Sequence, residues 1–93
     1  MGKDNRIIVT VVGTDRTGII AGVTTVLAEA NANILDISQT VLQEFLTMIL
    51  VVDLDNCNLD FEELKQKLTE VGDRIGVQIT AQHESVFKYM HRI

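Results

Sequence analysis

The sequence predicts an α+β domain in which two helices cover one face of a four-stranded antiparallel sheet. Three observations carry that prediction. Two stretches, 7–12 and 45–53, are apolar at almost every position, as strands covered on both faces are. Two others have apolar residues spaced three and four apart, as amphipathic helices do. The order in which these stretches alternate is strand, helix, strand, strand, helix, strand.

Residues 7–12, Ile-Ile-Val-Thr-Val-Val, are β-branched throughout and predict a buried strand. Gly13-Thr14-Asp15-Arg16-Thr17-Gly18 reads as a turn-rich loop. Ile19, Val23, Val26, Leu27 and Ala30 then mark one face of a helix, and Asn31-Ala32-Asn33 ends it, because Asn tolerates the left-handed conformation found there. Residues 34–42 predict a second strand of mixed faces. Gln43-Glu44 is a hairpin break, and Phe45 to Asp53 is the third strand.

The second helix has a marked start. Asp60 suits an N-cap and Glu63 follows three residues later, the spacing of a capping box, with Leu59 and Leu64 placed as a hydrophobic staple. Phe61, Leu64, Leu68 and Val71 form its apolar stripe, and Gly72 or Gly76 ends it. Val77, Ile79 and Ala81 alternate with Gln78, Thr80 and Gln82 in a half-buried fourth strand. From Glu84, the spacing of Val86, Phe87, Met90 and Ile93 predicts a short amphipathic helix.

The βαββαβ order, with right-handed crossovers and a central hairpin, gives a ferredoxin-like fold with strand order 4-1-3-2 and both helices on one face. A core of about 6–83 and a tail of 84–93 then make a single domain of 1–93. This topology creates a packing problem. The central strands are apolar on both faces, yet the helices cover only one, and an open apolar face is avoided in soluble monomers. The tail or a second copy of the chain must cover it, and a homodimer is expected.

Composition narrows the function. The 93 residues carry a net charge of −5, with eight Lys plus Arg against thirteen Asp plus Glu. Nucleic-acid binding rests on phosphate contacts from a basic patch, which this balance does not supply, and the same acidity disfavours an anionic membrane surface. An RNA-binding domain of the same topology would need aromatic residues on its central strands; the first strand has none, and aromatics total 4%. The single cysteine, Cys57, cannot form an internal disulfide, and the longest apolar run is too short to span a bilayer, so a cytoplasmic setting is expected. His83 and His91 do not make a metal-ligand grouping, and no nucleophile, base and orienting group can be assembled, so neither a metal, a cofactor nor an enzymatic activity is expected.

The loop from Gly13 to Gly18 is the most informative segment. Gly18 stands where the chain turns into a helix, and a residue without Cβ lets a ligand approach the backbone. The N–H groups of the first helical turn suit a carboxylate, and Asp15 can accept hydrogen bonds from an ammonium group. An amino acid has both charges. The spacing Gly, four residues, Gly is that of a phosphate-binding loop, but Ile19 and Ile20 follow where Lys and Ser or Thr are required.

The strand Ile-Ile-Val-Thr-Val-Val, the loop Gly-Thr-Asp-Arg-Thr-Gly-Ile-Ile and the segment Asn-Ala-Asn-Ile-Leu-Asp-Ile-Ser at 31–38 resemble the ACT domain over residues 6 to about 83. The resemblance is strongest to short, free-standing bacterial ACT proteins and to the domains of the glycine-cleavage transcriptional repressor. It implies a regulatory module of ferredoxin-like fold. Its ligand, usually an amino acid, sits between the first loop of one domain and the start of the second strand of another. Carried over residue by residue, it implies ligand contacts at Gly13, Asp15, Thr17, Gly18, Ile19 and Asn33. Some amino-acid-binding members carry His and Asn where this chain has Gly13 and Asp15, so the identity of the ligand stays open.

Each feature also has a plainer explanation. The glycines can serve turn geometry alone, Asn33 can be a C-cap, and Gly22 inside a helix points to close helix packing. The expected function is a homodimeric sensor of a small amino acid, acting on a regulated enzyme or transcription regulator. The alternative is a ligand-free dimerisation or interaction adaptor of the same fold.

Overall fold

The computed structural model describes residues 5–14 and 17–90. The chain runs β1 (Arg6–Thr14), α1 (Ile19–Glu29), β2 (Asn33–Leu42), β3 (Phe45–Asp53), α2 (Phe61–Ile75), β4 (Gln78–His83) and α3 (Glu84–Met90). The four strands form one antiparallel sheet in the order β2-β3-β1-β4, which is the predicted 4-1-3-2 order read from the other edge.

One face of this sheet and the apolar faces of α1 and α2 enclose the core. Ile7, Val9 and Val11 of β1, with Met48, Leu50 and Val52 of β3, meet Ile19, Val23 and Leu27 from α1 and Leu64, Leu68 and Val71 from α2. The helices pack closely where α1 has no side chain: a Cβ built on Gly22 would lie 2.6 Å from Ile75 Cδ1. Gly22 is therefore a packing residue.

The helix ends follow from their sequences. At the start of α2 the Asp60 carboxylate accepts from the Glu63 N–H at 2.8 Å, and Glu63 Oε1 accepts from the Asp60 N–H at 3.1 Å. This reciprocal capping box satisfies two N–H groups that the helix itself leaves without partners. Gly76, at φ 91°, ends α2, and its N–H and that of Val77 both donate to the Gly72 carbonyl. Asn31, at φ 60°, ends α1; its N–H donates to the Ala28 carbonyl and the Ala32 N–H to the Leu27 carbonyl, the paired bonds of a Schellman motif. The last turn of α1 is also bonded to the loop before α2. The Asn58 N–H donates to the Ala30 carbonyl at 2.7 Å, and Asn31 Nδ2 donates to the Asn56 carbonyl at 2.9 Å.

Two sequence expectations are corrected. Gly13 lies inside β1, opposite Leu46, instead of opening a loop. Asn33 does not cap α1, because Asn31 does; Asn33 begins β2, paired with Asp53.

On the other face of the sheet, cross-strand pairing sets side chains in rows. Leu42, Phe45 and Thr14 make one, Thr40, Thr47, Val12 and Gln78 the next, Ser38, Ile49, Thr10 and Thr80 the third, and Asp36, Val51, Ile8 and Gln82 the fourth. The tail forms the short helix expected of it and covers the β1–β4 part of the last of these rows. α3 packs on β1 and β4, Ile8 is only 6% exposed, and Glu84 faces Arg6 at 3.8 Å. The tail thus supplies part of the cover the apolar face needs, and the rows nearer the β2–β3 hairpin stay open.

Candidate functional site

The first turn of α1 and the helix-side surface of β2 bound a cleft of about 280 Å³. Residues Thr17 to Ala21 form one wall, Gln39 and Val41 the other, and Leu46 the floor. Small-molecule sites start at about this size, so the cleft suits a small ligand.

Backbone geometry makes the first wall. Gly18 is the N-cap of α1 at φ 94°, a left-handed conformation that favours glycine, and a Cβ added there would meet nothing within 4 Å. Its role is therefore conformational: it turns the chain into α1 while leaving the approach to the helix end unobstructed. Glycine brings no side-chain cap, and among the described residues no hydrogen bond takes up the N–H groups of Ile19, Ile20 and Ala21. Those donors, beside the positive end of the helix dipole, favour a carboxylate. Ile20 and Val41, 43% and 49% exposed, offer apolar surface next to them, and the Gln39 amide can donate and accept.

Of the residues singled out in the sequence, Thr17, Gly18 and Ile19 meet at this cleft. Asp15 lies outside the described residues. Gly13 is explained by packing, since a Cβ there would fall 2.7 Å from Val77 Cγ1. Asn33 stands at the far end of the sheet: from Asp53, its partner, to Leu46 is seven residues along β3, roughly 23 Å. It borders a separate hollow with Asn31, Asp53, Asp55 and Asn56. Much of the polar capacity there is used internally, Asp53 Oδ1 accepting from the Asp55 N–H and Asp55 Oδ1 from Asn5 Nδ2.

Gln39 and Val41 are the site residues that sequence reasoning missed. Their signal was faint. Gln39 interrupts the apolar alternation of Ile37 and Val41, and only the pairing of Gln39 with Met48 and Val41 with Leu46 puts them on the helix side.

A larger hollow, about 410 Å³, lies between the flanks of α1 and α2, over Val26, Ala30, Leu59 and Val71. Its rim carries Glu29 and Glu70 against Lys67 and Arg74. Solvated charges of both signs on helix flanks describe a surface groove better than a site with converging polar groups. His83 is stacked on Phe61 with ring centroids 4.3 Å apart, and Cys57 is half-buried. Among the described residues no three His, Cys, Asp or Glu side chains group as metal ligands, and no helix is long and apolar enough to cross a membrane.

A ferredoxin-like sheet with a small cleft at the first strand–helix junction fits a regulatory ligand-binding module. Residues 5–82 match the ACT domain, and the chain belongs to the ACT domain family. It is 55% identical over 89 residues to a UPF0237 protein of Methanocaldococcus jannaschii, covering 96% of this chain and 99% of that one. Relatives of this length are mostly archaeal, so the short form is not confined to bacteria. Among solved structures, an ACT domain protein from Streptococcus pneumoniae is 43% identical, with a TM-score of 0.77 over 89% of this chain and 93% of that one. The regulatory subunit of aspartate kinase from Thermus thermophilus, in ligand-free form, is 25% identical, with a TM-score of 0.66 over 85% of this chain and 51% of that one.

Proposed function

We propose that the protein is a regulatory sensor that binds a small amino acid between two copies of the chain joined along β2. The observation that carries this reading is the position of Asn33 and the α1 cleft at opposite ends of one edge strand. If β2 of one protomer pairs antiparallel with β2 of another, the partner's Asn33 comes to the Val41 end, beside the cleft. Two residues about 23 Å apart within a chain then meet across a twofold axis.

Several features support the pairing. β2 is ten residues long and lies at the edge of the sheet, with backbone groups on its outer side that no neighbouring strand takes up. Such edges invite a partner strand. Ile37 and Val41 on its helix side are 42% and 49% exposed, and Ile20 of α1 lies close by at 43%. Antiparallel joining would bury all three. The first-turn N–H groups would hold the ligand carboxylate, Asp15 its ammonium, and Gln39 with the partner's Asn33 any polar side-chain group. Ligand would favour one dimer geometry to the extent of its differential affinity for the two states. The similarity to a regulatory subunit supports a response passed to a partner enzyme or transcription regulator.

The test is a thermal-shift screen of the protein against the twenty amino acids, repeated on Asp15→Ala and Asn33→Ala. A ligand at a hundredfold excess over Kd stabilises the folded state by about 2.7 kcal/mol. One amino acid should raise Tm, and both variants should lose the response. Absence of a shift with every amino acid at millimolar concentration would sink the sensor and leave a ligand-free adaptor.

A further inference from the structure

Resting on the sensor reading above, we infer that the α1 cleft takes an amino acid whose side chain is polar and uncharged, and that Gln39 is the residue that selects it. Gln39 stands in the helix-side row of β2 between Ile37 and Val41, and its partner on β3 is Met48. All three neighbours are apolar. An aliphatic residue would continue the row, so neither the strand nor the core calls for an amide here. Gln39 is exposed at the wall of the cleft, and among the described residues no hydrogen bond takes up its amide.

The surroundings of that amide set the chemistry. Ile20 and Val41 give the cleft apolar sides and Leu46 its floor, and among the described residues no charged side chain lines it. An ionised side chain drawn in there would give up water without meeting an opposite charge, which is costly. A purely aliphatic side chain would cover the Gln39 amide and leave it dehydrated and unpaired, which is costly too. A hydroxyl or an amide avoids both losses. The Gln39 carbonyl accepts from it and the Gln39 NH2 donates to it, while its carbon atoms meet Val41 and Leu46.

Position agrees with this division. The first turn of α1 and the Gln39 amide stand on opposite walls. One wall meets the carboxylate that every amino acid has, and the other meets the side chain that tells them apart. A cleft of about 280 Å³ is at the small end for ligand sites, so one small molecule reaches both walls.

The experiment is titration calorimetry on the full chain, Gln39→Leu and Gln39→Glu. The probes are two matched pairs, threonine against valine and asparagine against leucine, with lysine and glutamate as charged amino acids. Each pair changes a polar group at nearly constant shape. The wild-type chain should bind the polar member of a pair about tenfold more tightly, and neither charged probe. Gln39→Leu should reverse that preference, and Gln39→Glu should admit lysine. Any effect of a substitution on folding or dimerisation cancels in the ratio within a pair, because both members meet the same protein. A wild-type preference for an apolar or charged amino acid, or a Gln39→Leu chain that keeps the polar preference, would overturn the inference and leave the sensor standing. Binding of no amino acid at all would overturn the sensor and the inference with it.

Discussion

At Gly13 the absence of a side chain is dictated by a residue far along the chain. Val77 packs against the bare Cα so closely that an alanine Cβ would sit 2.7 Å from its Cγ1 and 3.2 Å from its Cα. Gly13→Ala should therefore destabilise the protein by about 1–3 kcal/mol, the usual cost of overpacking. Val77→Ala should relieve part of that cost, so the double variant should unfold at a higher urea concentration than the sum of the single effects requires. Additive effects would show that the contact does not matter. Gly18 is constrained in another way, by a φ of 94° with open space around it. Gly18→Ala should cost about 1 kcal/mol through backbone conformation alone. That difference explains what was legible. The turn at Gly18 and the left-handed Asn31 are local, and their neighbours in sequence announce them. The constraint on Gly13 comes from a contact with Val77, which no local pattern reveals.

Among the elements, α2 was the most legible, because its signals all lie within the helix and its two ends. Asp60, Glu63, the apolar stripe and Gly76 agree with one another, and the observed capping box follows. Asp60→Ala should cost about 1 kcal/mol and Asp60→Asn much less, since Asn caps nearly as well; equal losses in thermal unfolding would argue against the cap. β2 was the least legible. The sequence shows only a strand of mixed faces, and its helix-side residues Ile37 and Val41 are exposed, because β2 lies at the sheet edge and the helices leave them uncovered. The register shift between Ile34 and Asp36 adds to this by leaving Leu35 outside the alternation. Only the whole sheet shows which wall of the cleft Gln39 belongs to.

For the molecule as a whole, strand order was legible because the connection rules leave few alternatives for βαββαβ. The destination of the tail was not, since an amphipathic pattern says that a helix needs a partner without naming it. The structure places α3 over Ile8 and beside Arg6. The ion pair at 3.8 Å is solvent-exposed on its arginine side and adds little, so burial of Ile8 is the larger contribution. Removing residues 84–93 should lower stability by about 1.5–3 kcal/mol, the worth of one large apolar side chain, and leave the far-ultraviolet circular dichroism of the remaining fold intact. Unchanged stability in urea would mean that the tail covers nothing of consequence.

The bonding at the two ends of α1 has a mechanical consequence. Its last turn is fastened by Asn58 and Asn31 to the loop that leads into α2, its middle bears on Ile75 at Gly22, and its first turn is bounded by the cleft. The helix is thus fixed at its last turn by hydrogen bonds and along its length by the burial of Ile19, Val23 and Leu27. The N–H groups of its first turn are therefore held in one orientation at the cleft, a wall set by the core and not by anything that meets it.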